Sequence, residues 1–349
     1  MTSAVGQPHK RSLDLASLRG IALLGCLFLG LVACTKKESS QKDFWIYTST
    51  YKEIISLYQP GLEKSFPELR FQWFQSGSEN VAAKLRAELS AGQTPADLVM
   101  TSDLFSFEQW AREGHLASLE GTPGLDQIPP DHVRQGSGFV ITRFPVMVIA
   151  YNKKRIQAGD APKSFADLLN PRFKGQITTP SPLESGTAMT SMLYLHEKLG
   201  LSFFEGLKKN RVLSAGGNGA TLSRIQSGER PVGLVLLENI LESRRRGVDW
   251  VEFVIPQEGA LPIPSPLAVF KSTKDLETAR RVAGWFLQAE AQNILVQGGV
   301  YSPMKGAPTP PGAPDWATLN KMAWSLNLFS QWTDQKESVK AAFNRIVLQ

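Results

Sequence analysis

The chain has 349 residues, with 38 basic and 32 acidic side chains, four histidines, two cysteines and a formal net charge of +6. Both cysteines, Cys26 and Cys34, lie near the start, so the remainder has no thiol pair for a disulfide framework or a cysteine metal site. The histidines (His9, His115, His132, His196) lack His-x-x-x-His spacing, which argues against a histidine zinc site. Acids and bases are interspersed, with Arg244-Arg245-Arg246 the only tight basic run, which argues against a nucleic-acid surface.

The first segment is basic (Lys10, Arg11, Arg19), then apolar from Ile21 to Ala33, and ends in Leu31-Val32-Ala33-Cys34. This order reads as a bacterial lipoprotein signal over 1–33, cut before Cys34, whose thiol would carry a lipid. The apolar run is short for a bilayer span and is followed by a polar tether over 34–42. Cleavage would leave 316 residues, room for two domains, with the charge reduced from +6 to +4 because the leader holds three cations and Asp14. The working part is then expected outside the cytoplasm, anchored to a membrane in the periplasm or at the cell surface.

Beyond the tether, strands and helices alternate. Phe44 to Tyr47 predicts a strand closed by Thr48-Ser49-Thr50. A helix carrying Ile54, Ile55, Tyr58 and Leu62 follows, with a kink expected at Pro60-Gly61. Leu69, Phe71 and Trp73 alternate as in a strand, and Ser76-Gly77-Ser78 opens a helix with Val81, Leu85 and Leu89 on one face. Ala96 to Met100 predicts another strand, ending in Thr101 and Ser102. The pattern restarts with strands at Val146 to Tyr151 and Ile177 to Thr179. A helix from Ser185-Gly186-Thr187 to Leu199 comes next, then one capped by Asn218. Strands follow at Val232 to Leu237, Trp250 to Ile255 and Leu267 to Phe270. A long helix from Asp275 to about Gln297, a Pro/Gly connector over 306–314 and a helical last segment complete the chain. The arginine run falls near a helix end, where cations complement the dipole, and reads as a solvated end. This is the pattern of an α/β fold with mainly parallel sheets, and no solenoid repeat is present.

In such folds, ligands sit beyond the carboxyl ends of strands, where helix amino termini present free N–H groups. The chain places hydroxyls and glycines at several of these positions: Thr48/Ser49, Ser76-Gly77-Ser78, Thr101/Ser102 and Ser185-Gly186-Thr187. Each alone reads as a plain helix cap. Together they predict a shared anion-binding cleft, because hydroxyls donate to oxyanions and glycine admits close backbone approach. Glu238 follows a buried strand and is placed either to face the cleft or as an exposed first-turn acid. No Gly-x-Ser-x-Gly elbow, phosphate loop or dinucleotide fingerprint is present, so neither a catalytic group nor a cofactor is expected.

The order Trp45-Ile-Tyr-Thr-Ser49, Ser76-Gly-Ser78, Ala96-Asp-Leu-Val99, Tyr151-Asn152, Ser185-Gly-Thr187, Ser227-Gly-Glu229 and Ile255-Pro-Gln-Glu-Gly259 resembles the family 1 extracellular solute-binding proteins. Within that family it is most similar to the branch of ferric-iron, aminoethylphosphonate and sugar-phosphate receptors of ABC importers. The similarity covers residues 43–305. It implies a two-lobed periplasmic-binding-protein architecture of type II with a ligand cleft between lobes. Residues 43–143 and 258–304 would form lobe 1, and residues 144–257 and 305–349 lobe 2. It implies a small anionic solute, an ABC permease partner and a monomer. By position, Thr48, Ser49, Ser78, Ser102, Ser185, Gly186 and Thr187 would hold the anionic group, and Asn218, Glu238 and Asn239 would read the rest. Iron receptors of the branch carry two adjacent tyrosines where this chain has Leu236-Leu237-Glu238-Asn239-Ile240, and no adjacent tyrosines occur anywhere. An organic anion is therefore expected over ferric ion: a phosphonate, a phosphate ester or a carboxylate. The alternatives are a ferric receptor, a sensor for a signalling membrane partner and, least supported, an extracytoplasmic hydrolase.

Overall fold

The computed structural model describes residues 41–349 except Gln135 and Ser137; the leader over 1–33, Cys34 and the tether as far as residue 40 lie outside the described residues. The first half-fold opens with β1 (Lys42–Thr48), α1 (Lys52–Ser65), β2 (Leu69–Gln75), α2 (Ser78–Ser90), β3 (Leu98–Met100) and α3 (Leu104–Arg112). Two short strands follow, β4 (Val133–Arg134) and β5 (Phe139–Arg143). The chain then crosses into β6 (Val146–Asn152), β7 (Ile177–Thr179), α4 (Gly186–Lys209), β8 (Leu213–Ser214), α5 (Asn218–Ser227), β9 (Val232–Leu236), α6 (Leu237–Arg245), β10 (Val251–Val254) and β11 (Leu261–Pro262). It returns through β12 (Ser265–Val269), α7 (Leu276–Phe286) and α8 (Ala289–Gln297), and ends in α9 (Leu326–Phe343) with a final π-helical turn over Asn344–Leu348.

Two mixed sheets result. The first has the order β2-β1-β3-β12-β5-β4, parallel across β2, β1 and β3 and antiparallel elsewhere. The second has the order β10-β6-β9-β7-β8, with β11 also paired to β6. The chain passes between sheets twice, at Phe144-Pro145 and Ile263-Pro264, and the two crossings touch where the Ile263 N–H donates to the Pro145 carbonyl at 2.8 Å. The two-lobed α/β architecture expected from the sequence is the one found, but the expected mainly parallel sheets are not. Antiparallel pairs outnumber parallel ones because β12 and β5, and β6 with its neighbours β10, β9 and β11, run antiparallel. Among the described residues no helix is long and apolar enough to cross a membrane.

Three helices differ in detail from the sequence reading. α1 runs unbroken through Pro60, which sits on its exposed face, where its missing N–H removes the bond to the Ser56 carbonyl. Gly61 has a packing role instead, because a Cβ there would lie 2.7 Å from the Trp285 ring. The long helix from Asp275 breaks into α7 and α8, and the buried Gln292 amide donates to the freed Phe286 carbonyl at 2.7 Å. In α4 the predicted end at Leu199 coincides with a break at Gly200, which sits at φ 72°, and a second helical segment continues to Lys209.

α9 packs on both halves. Phe329 stacks on Phe105 of α3 and meets Tyr194 of α4 edge-on, while Phe343 meets Phe204 of α4. Lys336 lies buried between Glu79 of α2 and Asp103, the N-cap of α3. The described residues form one compact unit.

Candidate functional site

Strand ends and helix starts converge where the two sheets face each other. A cavity of about 230 Å³ is lined from the first half by Ser49, Thr50 and Tyr51 after β1, the 75–78 turn after β2, Ser102 after β3, and Arg143 at the end of β5. The second half contributes Ser185 and Thr187, the Gly217-Asn218-Gly219 turn and Glu238. The N-cap or first turn of α1, α2, α4, α5 and α6 therefore borders one small space. In four of these helices the N-cap (Tyr51, Gly77, Gly217, Leu236) makes no side-chain cap bond, leaving first-turn N–H groups available to a ligand. Helix amino termini carry partial positive charge, so the space favours an anion.

Arg143 dominates the electrostatics. It is 8% exposed, and its guanidinium donates to the Thr50 hydroxyl and to Ser49 Oγ at 3.4 Å and Ser102 Oγ at 3.5 Å. Among the described residues no carboxylate lies within ion-pairing distance of it. Burial pulls its pKa below the usual guanidinium value, opposed by nearby Tyr58, Glu238 and Tyr51, yet arginine stays charged in proteins. A buried cation bonded only to hydroxyls is costly unless something negative arrives.

Of the ten residues expected from the sequence, Ser49, Ser78, Ser102, Ser185, Thr187, Asn218 and Glu238 line this cavity. Hydrogen bonds join some of them: Ser185 Oγ and Thr187 Oγ1 are 2.9 Å apart, Asn218 Nδ2 donates to Thr187 Oγ1 at 2.9 Å, and on the facing side Ser265 Oγ donates to Ser102 Oγ at 2.8 Å. The Asn218 Oδ1 atom is buried without a partner. The other three sit elsewhere. Thr48 is fully buried beneath the cavity, where its hydroxyl accepts the Thr50 N–H and donates to the Met100 carbonyl, shaping the 49–50 turn. Gly186 lies in direct contact with the facing half: a Cβ there would meet Ser102 O and Ser78 Cβ at 2.8 Å. Asn239 faces a larger outer chamber of about 700 Å³ that adjoins the cavity past Glu238, and accepts the Tyr51 hydroxyl at 3.2 Å. Sequence reasoning missed Arg143, Thr50, Tyr51 and Gln75. The available signal for Arg143 was a lone cation inside the apolar stretch Phe139 to Met147.

Glu238 faces the cavity and is not an exposed helix acid: it is 4% exposed. Burial pushes its carboxyl from the usual 4.5 up to about 7, against the pull of its own and Val146's backbone N–H and of Arg143. The folded chain thus holds this proton where the unfolded chain has lost it. Stability is highest below about pH 4.5 for this group and falls as pH rises to about 7, by about 3 kcal/mol in all. In urea unfolding at pH 5 and pH 8, Glu238→Gln is expected to remove most of this decline. Equal pH slopes for the two proteins would show that Glu238 keeps an ordinary carboxyl.

Comparison with known proteins identifies the family and the fold. The family model described as bacterial extracellular solute-binding protein fits residues 93–325. The chain belongs to this family. This solute-binding protein is 22% identical over 291 residues to the Fe(3+)-binding periplasmic protein of Serratia marcescens, covering 81% of this chain and 84% of that one. It is 28% identical over 145 residues to an uncharacterized protein of Haemophilus influenzae, of which the match spans only 41%. Among solved structures, the periplasmic binding protein P5PA aligns with a TM-score of 0.77 at 24% identity, over 88% of this chain and 100% of that chain. AfuA of Actinobacillus pleuropneumoniae, solved with fructose-6-phosphate, gives 0.77 at 21% over 88% and 99%. Iron-bound HitA of Pseudomonas aeruginosa gives 0.76 at 21% over 86% and 99%. These likenesses extend the shared fold to nearly the whole described chain. The family read from the motif order is borne out.

Proposed function

We propose that this solute-binding protein is a lipid-anchored, extracytoplasmic receptor of an ABC importer that captures a small organic anion between its lobes. The observation that carries this is Arg143: a buried guanidinium that no carboxylate among the described residues pairs with, ringed by hydroxyls and helix amino termini. In this reading Arg143, Ser49, Ser78, Ser102, Ser185, Thr187 and Asn218 hold the anionic group. Thr48 and Gly186 shape the walls, and Glu238 and Asn239 read the remainder of a phosphonate, phosphate ester or carboxylate. Lobe 1 comprises 43–143 and 258–304 and lobe 2 comprises 144–257 and 305–349, with Cys34 carrying the lipid and the receptor acting as a monomer.

Ferric ion is the competing cargo, since several similar proteins are named for it. The donor set argues otherwise. Among the described residues no three His, Cys, Asp or Glu side chains are grouped to hold a metal, and the turn after β9 supplies one carboxylate in place of two phenols. The test is a thermal shift of the 35–349 fragment against phosphonates, phosphate esters, carboxylates and ferric citrate. A ligand at a hundredfold its dissociation constant stabilises by about 2.7 kcal/mol, a rise of several degrees. A shift with an organic anion is the expected result; a shift with ferric citrate alone would overturn it.

A further inference from the structure

The arginine run at the end of α6 read from the sequence as a solvated helix end. Two of its members do something else. Arg245 reaches across to the first half-fold, where its Nη1 donates to the Gln297 carbonyl at 2.8 Å and its Nη2 to the Gly298 carbonyl at 3.2 Å. These are the last carbonyls of α8, a helix that packs on α1, so the cation also meets the negative end of the α8 dipole. Arg246 Nη2 lies 3.2 Å from Glu53 in the first turn of α1. Glu242, one turn earlier on α6, pairs with both guanidiniums and holds them side by side. Arg244 points the other way and pairs with Glu252 of β10, inside its own half.

We propose that Arg245 and Arg246 form an interlobe clasp that holds the cleft shut and so sets how long a solute stays bound. The clasp stands on the rim of the outer chamber, which Arg245, Arg246, Gln297 and Gly298 line together. Every clasp contact is protein to protein, so it stabilises the shut arrangement independently of what the cavity holds. Its guanidiniums are partly exposed, which makes it tunable by salt. Arg244, one residue away and equally charged, gives no such contact.

The test needs no knowledge of the solute. The 35–349 fragment has no cysteine, so Gln93→Cys in the first half and Lys209→Cys in the second accept a pair of spin labels. The distance distribution of the labelled protein is expected to contain a compact component. That component should fall about fivefold relative to the extended one in Arg245→Ala/Arg246→Ala, and also in 1 M NaCl. Arg244→Ala should leave the distribution unchanged while shifting the unfolding midpoint to a similar degree, and Arg245→Lys should restore part of the loss. A compact component absent from the parent protein, or equal in the double variant and the parent, would overturn the clasp. Either result leaves the anion reading standing, because that reading is decided by the thermal-shift panel.

Discussion

Arg143→Met is expected to abolish anion capture while leaving the fold at least as stable as before. Removing one partner from a buried charged contact costs about 2–5 kcal/mol of binding, so affinity for whichever anion stabilises the parent protein should fall roughly a hundredfold or more. Stability should move the other way. The buried guanidinium has been drawn out of water for three hydroxyl contacts and no carboxylate. Exchanging such a cation for an apolar side chain of similar length is commonly neutral or stabilising. The hydroxyls it leaves are not stranded: Thr50 Oγ1 stays 2.9 Å from Thr48 Oγ1, to which its own hydroxyl can donate, and Ser102 still receives Ser265 at 2.8 Å. Glu238 would lose a nearby cation and simply hold its proton to higher pH. Calorimetric titration together with the urea midpoint of the same variant separates the readings. Lost binding with an unchanged or raised midpoint fits an anion anchor; binding within about threefold of the parent would remove Arg143 from the site.

The alternation of apolar strands with hydroxyl-rich turns was legible because it is local. Each of Thr48-Ser49, Ser76-Gly-Ser78, Thr101-Ser102 and Ser185-Gly-Thr187 ends a strand or opens a helix within a few residues. What each one faces is decided by partners far away in the chain. Thr48 and Ser49 are adjacent, yet Thr48 turns inward to Met100, fifty-two residues on, and Ser49 outward to the cavity. Glu238 and Asn239 are also adjacent. One helical step of about 100° aims the first at the inner cavity and the second at the outer chamber only. Arg143 was hidden for the same reason, since nothing near it in sequence shows that β5 ends at a crossing point beside two hydroxyl turns. Of the clasp arginines, Arg245 meets carbonyls at the end of α8 more than fifty residues later, and Arg246 meets Glu53 almost two hundred residues earlier. Gly186 could be read as a close-approach residue, but not whether a ligand or the opposite half would be what approached.

Gly186→Ala tests that last point, and its expected effect is a loss of affinity of roughly thirtyfold without loss of folding. Residue 186 begins α4 with ordinary helical geometry, where alanine is if anything the better helix former by up to about 1 kcal/mol. The three nearest atoms the added methyl group would meet all belong to the other half. Across the cleft it would stand 2.8 Å from the Ser102 carbonyl, 2.8 Å from Ser78 Cβ and 3.0 Å from Asp103 Cβ. A backbone oxygen and two Cβ atoms cannot swing aside, so the halves must part by a fraction of an ångström to admit it. Overpacking of this kind costs about 1–3 kcal/mol. Here the cost falls on the shut arrangement alone, because the open one has no such contact. The penalty should therefore appear in release, with a faster dissociation rate and a nearly unchanged association rate. Arg143→Met, by contrast, removes attraction whether the cleft is open or shut and so weakens the first encounter as well. An alanine variant that binds at parental affinity would mean that the contact at Gly186 plays no part in holding the solute.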